Sequence, residues 1–282
     1  MSSVTEAPPV QQRVIEDPPA RKQARRPLAR SHLGEALLGS IGLIAFFGLW
    51  ELAPRVGLVD RTFLPPLSTV LEAWEKLAAN GQLWSNTSAS LHRSIVGFAL
   101  AVLIAVPLGV TIGWYRPVAR ALGPLLELFR NTAALALLPV FTLVLGIGET
   151  AKIALVIYAC VWPILLNTVS AVQSVDPLLV KSARSLGLSP LRILAKVVLP
   201  ASVPTIFTGI RLAGAFSILI LIAAEMVGAK AGLGYLINYS QFNFQIADMY
   251  AGILTISILG LAVNAGLVAL ERRLTRWRSP AR

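Results

Sequence analysis

A few long apolar runs free of charge constrain this chain more than anything else in its sequence. Ile153–Val175 runs 23 residues without a charged side chain, Met249–Leu270 runs 22, and Asn131–Gly148 runs 18. A helix that crosses a bilayer needs about 20 mostly apolar residues. Hydrocarbon offers the backbone no water, so such runs must satisfy their N–H and C=O groups internally, as helices. Three less perfect runs extend the series: Leu33–Ala53, bounded by Glu35 and Glu51; Ile95–Trp114; and Val203–Gly228, which contains Arg211 and Glu225. Composition agrees, with 55% hydrophobic and 14% charged residues, against about 25% charged in a soluble domain. The mean hydropathy is +0.70. A disordered chain, a coiled coil and an ordinary cytosolic enzyme are excluded. The expected fold class is an all-α membrane protein with six transmembrane helices.

The charges are distributed as a membrane orientation signal. The formal charge is +11. Six of the 25 Lys and Arg precede Ser31, five follow Leu270, and four lie between Lys181 and Lys196. Basic clusters flanking apolar spans mark the cytoplasmic side. With both termini inside, Arg116, Arg120 and Arg130 also fall inside, and Arg93, Lys152 and Lys230 fall outside. Arg93 is a mild exception to the rule. A nucleic-acid role would need base-reading or stacking elements beside the basic groups, and the sequence offers none.

The organisation follows from these runs. Residues 1–32, rich in Pro and charge, read as a disordered basic cytoplasmic tail, without the small-residue cleavage site of a signal peptide. Residues 33–86 hold the first span and a periplasmic segment. Leu67, Val70, Leu71 and Trp74 recur there at helical spacing, so Ser68–Asn80 is expected to be an amphipathic helix outside the membrane. Residues 87–277 hold five further spans, and 278–282 form a cytoplasmic tail. Ala119–Phe129 reads as an amphipathic link before the third span.

The cytoplasmic loop 176–202 carries the most local information. Asp176 is suited to cap a helix and Pro177 to begin one. Leu179, Ala183 and Leu186 then fall on one face. Gly187 is placed to end the helix with a positive-φ cap. Ser189-Pro190 repeats the cap-plus-proline signal, and a second helix, Leu191–Leu199, is expected to stop at Pro200. Two short helices at a glycine corner make an ordered knob suited to docking in a groove, or else to resting on lipid headgroups.

These residues resemble the coupling loop of ABC importer permeases, written Glu-Ala-Ala, three residues, Gly, nine residues, Ile-x-Leu-Pro. Here Lys181-Ser182-Ala183 stands first, Gly187 follows at the same spacing, and Val197-Val198-Leu199-Pro200 closes the pattern. Lys and Ser replace the first Glu and Ala. Phe141–Lys152, Asn167-Thr168, Ser174–Pro177, Gly209-Ile210-Arg211, Ala224-Glu225 and Ala231–Tyr235 are also similar to the nitrate, sulfonate, taurine and bicarbonate branch of these permeases. The resemblance implies the transmembrane domain of a type I ABC importer, working as a dimer of permeases. It implies two ATPase subunits on the coupling helices at Asp176, Lys181, Ala183, Gly187, Leu199 and Pro200, and a periplasmic binding protein delivering a small anion. ATP and magnesium would be bound by the ATPase and not by this chain.

No catalytic chemistry is legible. The chain has no G-x-x-x-x-G-K-[ST] phosphate loop. Its two histidines, His32 and His92, are 60 residues apart and lack the partners of a metal site. Cys160, the single cysteine, lies in an apolar run and reads as a small buried hydrophobe. The expected pathway or structural polar groups are Asn131, Thr132, Asn167, Thr168, Arg211 and Glu225. A charge at mid-membrane costs at least about 2.5–3.5 kcal/mol, so Arg211 and Glu225 each need protein or water beside them. They lie 14 residues apart, about 21 Å along a helix, too far to pair with each other. An ion-driven secondary transporter is the competing class, and it predicts broken spans and ionisable groups at mid-membrane; the resemblance also implies, as the alternative cargo of an ABC importer permease, an aromatic acid or vitamin precursor.

Overall fold

A computed structural model describes residues 32–274, with side chains from Ser40 onward. The expected tails, 1–32 and 278–282, lie outside the described residues apart from His32, which opens the first helix. Every regular element among the described residues is helical. The chain divides into two compact units within this first helix, at Leu49–Trp50.

In chain order the helices are α1 (His32–Arg55), α2 (Leu67–Ala79), α3 (Gln82–Trp114), α4 (Arg116–Asn131), α5 (Leu138–Leu145), α6 (Glu149–Gln173), α7 (Pro177–Ser185), α8 (Pro190–Ile193), α9 (Leu199–Met226), α10 (Leu233–Phe242) and α11 (Ile246–Leu274). Four helical stretches among the described residues are long and apolar enough to cross a membrane: α3, α6, α8 running through α9, and α11. The bent pair α4–α5 makes a fifth.

The centre of the second unit is the packing of α3, α6 and α9. Gly97, Ala101, Ala105, Gly109 and Gly113 recur every four residues along α3. Small residues at this interval let two helix backbones approach closely. A Cβ added at Gly109 would lie 2.6 Å from the Thr168 Cβ on α6. On the other side of α6, a Cβ on Gly209 of α9 would lie 2.6 Å from that of Asn167. Cys160 sits in this core as the expected small hydrophobe, its thiol 3.4 Å from the Ala213 carbonyl. A second apolar cluster joins α2, α10 and α11 through Val70, Leu77, Leu233 and Ala251. The α2 helix matches the expected amphipathic segment, and its Trp74 indole donates to Thr255 of α11 at 3.1 Å.

The helix that holds the second span extends past the uncharged run that marked it, Ile95–Trp114: it begins at Gln82 and carries Arg93 within it, because an arginine with carboxylate partners need not end a helix. Two expectations need correction. The third span is shorter than Asn131–Gly148: after an 84° bend between α4 and Ala134, at the expected boundary of link and span, the helical stretch runs only from Ala134 to Leu145. Asn131 donates to the Glu127 carbonyl at 2.8 Å and Thr132 to the Leu128 carbonyl at 3.1 Å, so side chains satisfy the last carbonyls of α4 and let it stop. Thr132 and Ala133 then run extended, and Pro139 in the first turn of α5 restarts the chain. Finally, Pro200 does not end the helix after the glycine corner. A π-turn, Leu194–Val198, carries α8 directly into α9. Where the ladder is already widened, a residue without an N–H interrupts little.

Candidate functional site

The α7–α8 corner is built as its sequence implies. Asp176 accepts from the Leu178 N–H at 2.8 Å, capping α7. At the other end Gly187 has φ +76°. The Gly187 N–H reaches the Arg184 carbonyl at 2.9 Å and the Leu188 N–H reaches the Ala183 carbonyl at 3.2 Å. This pair of bonds is a Schellman cap, which a glycine in the left-handed region forms at least cost. Ala183, Ile193 and Val198 turn inward and join Val172 of α6, with Trp114 of α3 alongside. The expected face of Leu179, Ala183 and Leu186 is split. Only Ala183 is buried, with Val180 partly buried beside it, because the cap turns Leu186 outward. Leu178, Leu186 and Leu191 are each more than 60% exposed, and Lys181, Arg184 and Arg192 stand exposed among them. The corner presents an apolar tip ringed with positive charge. Leu199 and Pro200 are also exposed, beyond the π-turn.

At the far end of α9 stands a buried ionic cluster. Glu225 is 1% exposed. Its carboxylate pairs with Nη1 of Arg93 at 2.5 Å and accepts from Ser90 Oγ at 2.7 Å and from the Gly234 N–H at 3.0 Å. Arg93, itself buried, also donates to the Ala231 carbonyl at 2.7 Å and forms a two-pronged pair with Glu149 at the start of α6. Asn86 and Ser90 accept from the N–H groups of Gly232 and Leu233, each at 2.8 Å. Glu225 therefore caps the start of α10 while holding α3. Gly232 has φ +125°, and a Cβ there would run into the Glu225 carboxylate. Lys152 is buried nearby, its ammonium 3.2 Å from the Gly148 carbonyl. These contacts are the kind expected of Glu225 in its structural role, a helix cap. Sequence reasoning missed Arg93 as its partner and Glu149 as the second acid on Arg93, although the exception Arg93 made to the charge rule was a signal.

Arg211 lies half exposed on α9, 3.5 Å from Glu271 of α11. Its partner is the acid at the end of the last span. Thr168 is fully buried, its hydroxyl bonded to the Ile164 carbonyl at 2.7 Å. Asn167 donates to the Pro163 carbonyl at 2.7 Å and faces a cleft of about 560 Å³. The same cleft is lined by Arg130, Thr132, Tyr158, Trp162 and Phe216. Asn131, exposed at the end of α4, is not among its lining residues.

Four to five helical stretches of spanning length define a polytopic membrane protein, and comparison with known proteins places it. The profile of the family described as "Binding-protein-dependent transport system inner membrane component" matches residues 97–276, and the chain belongs to that family. It is a type I importer transmembrane domain by fold. A probable ABC transporter permease protein of Brucella abortus (strain 2308) is 36% identical over 244 residues, covering 86% of this chain and 96% of that one. The taurine transport system permease protein TauC of Escherichia coli (strain K12) is 35% identical over 261 residues, covering 90% and 94%. The inward-facing MetNI methionine ABC transporter shares the fold with a TM-score of 0.60 at 20% identity, covering 66% of this chain and 93% of that one.

Proposed function

We propose that this chain is the pathway-forming subunit of an ATP-driven importer for a small anion such as an alkanesulfonate, taurine, nitrate or bicarbonate. Two copies, a homodimer, would enclose the pathway, six spans each counting α1, with both termini cytoplasmic. A separate ATPase would dock on residues 176–200, and a periplasmic binding protein would deliver the cargo. The observation that carries this reading is the capped corner, whose exposed leucines and cations form a rigid plug joined to the spanning helix α9. Relatives that transport taurine, aliphatic sulfonates and bicarbonate support the anion class.

In this scheme ATP-driven closure of the partner ATPases displaces the corner, the spans rotate as a body, and the cavity turns outward to accept cargo. That is a two-state element biased by a partner. Two outcomes are expected. The purified chain alone hydrolyses no ATP above background, yet co-purifies with its ATPase subunit; robust hydrolysis by the isolated chain would overturn the assignment. In a Cys160→Ser background, a Ser189→Cys variant reacts with an impermeant thiol reagent only from the cytoplasmic side. Labelling from the periplasm would invert the topology.

A further inference from the structure

We propose that the cleft beside Trp162 is a transit site for an organic anion with an apolar body, an alkyl- or arylsulfonate or carboxylate, held at Arg130 and Asn167. The proposal rests on the permease reading above and narrows its cargo.

The cleft's volume, about 560 Å³, falls within the range of small-molecule sites, about 300–1,000 Å³. Its charge has one sign. Arg130 lines it, and no Asp or Glu does. The nearest acid to Arg130 is Glu127, 3.6 Å away on the same helix and outside the lining. A guanidinium offers five donors, and this loose pair leaves most of them for a ligand. The Asn167 amide uses one N–H on the Pro163 carbonyl and keeps a second N–H.

The aromatic part of the lining is held in place by ring contacts. Trp162 stacks flat on Phe129, with centroids 5.4 Å apart and planes at 6°. Tyr158 meets Trp162 edge-on at 5.5 Å, and its hydroxyl is committed to the Phe129 carbonyl at 3.0 Å. The Trp162 indole N–H is buried without a partner among the described residues. Indole N–H groups are usually bonded when buried; this one lies beneath the cleft's surface, so it is the face and edge of the ring that line the cleft. A small hydrated anion gains nothing from such a wall and loses water by entering. An anion with an alkyl or aryl body buries that body on Trp162 and Phe216 while its charged end stays at Arg130.

The test uses the purified chain in lipid nanodiscs with radiolabelled benzenesulfonate, and hexanesulfonate, nitrate and bicarbonate as competitors. Benzenesulfonate is expected to bind saturably, to be displaced by hexanesulfonate, and to resist equimolar nitrate and bicarbonate. Arg130→Gln should weaken binding about tenfold or more, the scale of one lost charge-assisted contact. Arg130→Lys should recover part of it. Trp162→Phe, which keeps a ring against Phe129, should weaken binding less than Arg130→Gln does. Elution volume and melting temperature show that each variant is folded. Absent saturable binding, displacement by nitrate as strong as by hexanesulfonate, or undiminished binding by folded Arg130→Gln would overturn the site. A chain that captures its ATPase but not benzenesulfonate loses the site and keeps the permease reading. One that captures benzenesulfonate but not the ATPase loses the permease reading and keeps the site.

Discussion

Arg93→Ala is expected to destabilise the protein by about 3–5 kcal/mol, the cost of stranding one member of a buried ion pair. Glu225 is 1% exposed and would keep only Ser90 and the Gly234 N–H as partners. The loss also releases the Ala231 carbonyl and the tie to Glu149. Removing the other acid is a different matter. The Glu149 side chain is 62% exposed, so Glu149→Gln should cost no more than about 1 kcal/mol, the range of solvated pairs. Thermal melts of the purified variants in detergent measure both. Equal losses from Arg93→Ala and Glu149→Gln would show that the burial of Glu225 is not what makes this cluster matter.

Gly187→Val should leave the protein inserted and folded while uncoupling it from its ATPase. The backbone at φ +76° is strained by about 1–3 kcal/mol for a residue with a Cβ, and more for a β-branched one. Space is not the obstacle, since nothing lies within 4 Å of a Cβ built there. The strain instead breaks the two cap bonds that set α7 against α8. Lys181→Glu, on the exposed face of α7, strains no backbone and should be tolerated far better. Co-purification of the ATPase and substrate uptake by cells read out both variants. Full ATPase capture and full uptake by Gly187→Val would show that the corner is not the coupling element.

The two clusters behind these experiments were unequally legible in the sequence. The corner could be read residue by residue, because caps and positive-φ turns are local. Asp176 and Gly187 act on neighbours a few positions away, and a spacing rule finds them. The Arg93–Glu225 pair could not, because its members are 132 positions apart and only the packing of α3 on α9 joins them. Marking spans by uncharged runs then hid Arg93, since it cut α3 short at Ile95. The same rule set a boundary between the link and Asn131–Gly148 but carried no angle, so the 84° bend there had no signal in it. Pro200 failed as a stop signal for a related reason. A proline ends a helix by removing one bond from a regular ladder, and a π-turn beside it had already changed the ladder.

That π-turn has a mechanical consequence. From Pro190 to Met226 the chain is one helical rod of 37 residues, about 55 Å at 1.5 Å per residue, with the exposed α7–α8 corner at one end and the Glu225 clamp at the other. No loop separates Leu191 from Glu225, and the places where this rod can bend are the π-turn and Pro204. The widened turn is where such a rod can gain or lose a fraction of a revolution while keeping its backbone bonded. At its far end the Glu225 clamp ties the same rod to α3 through Arg93 and, through Arg93 and Glu149, to the start of α6.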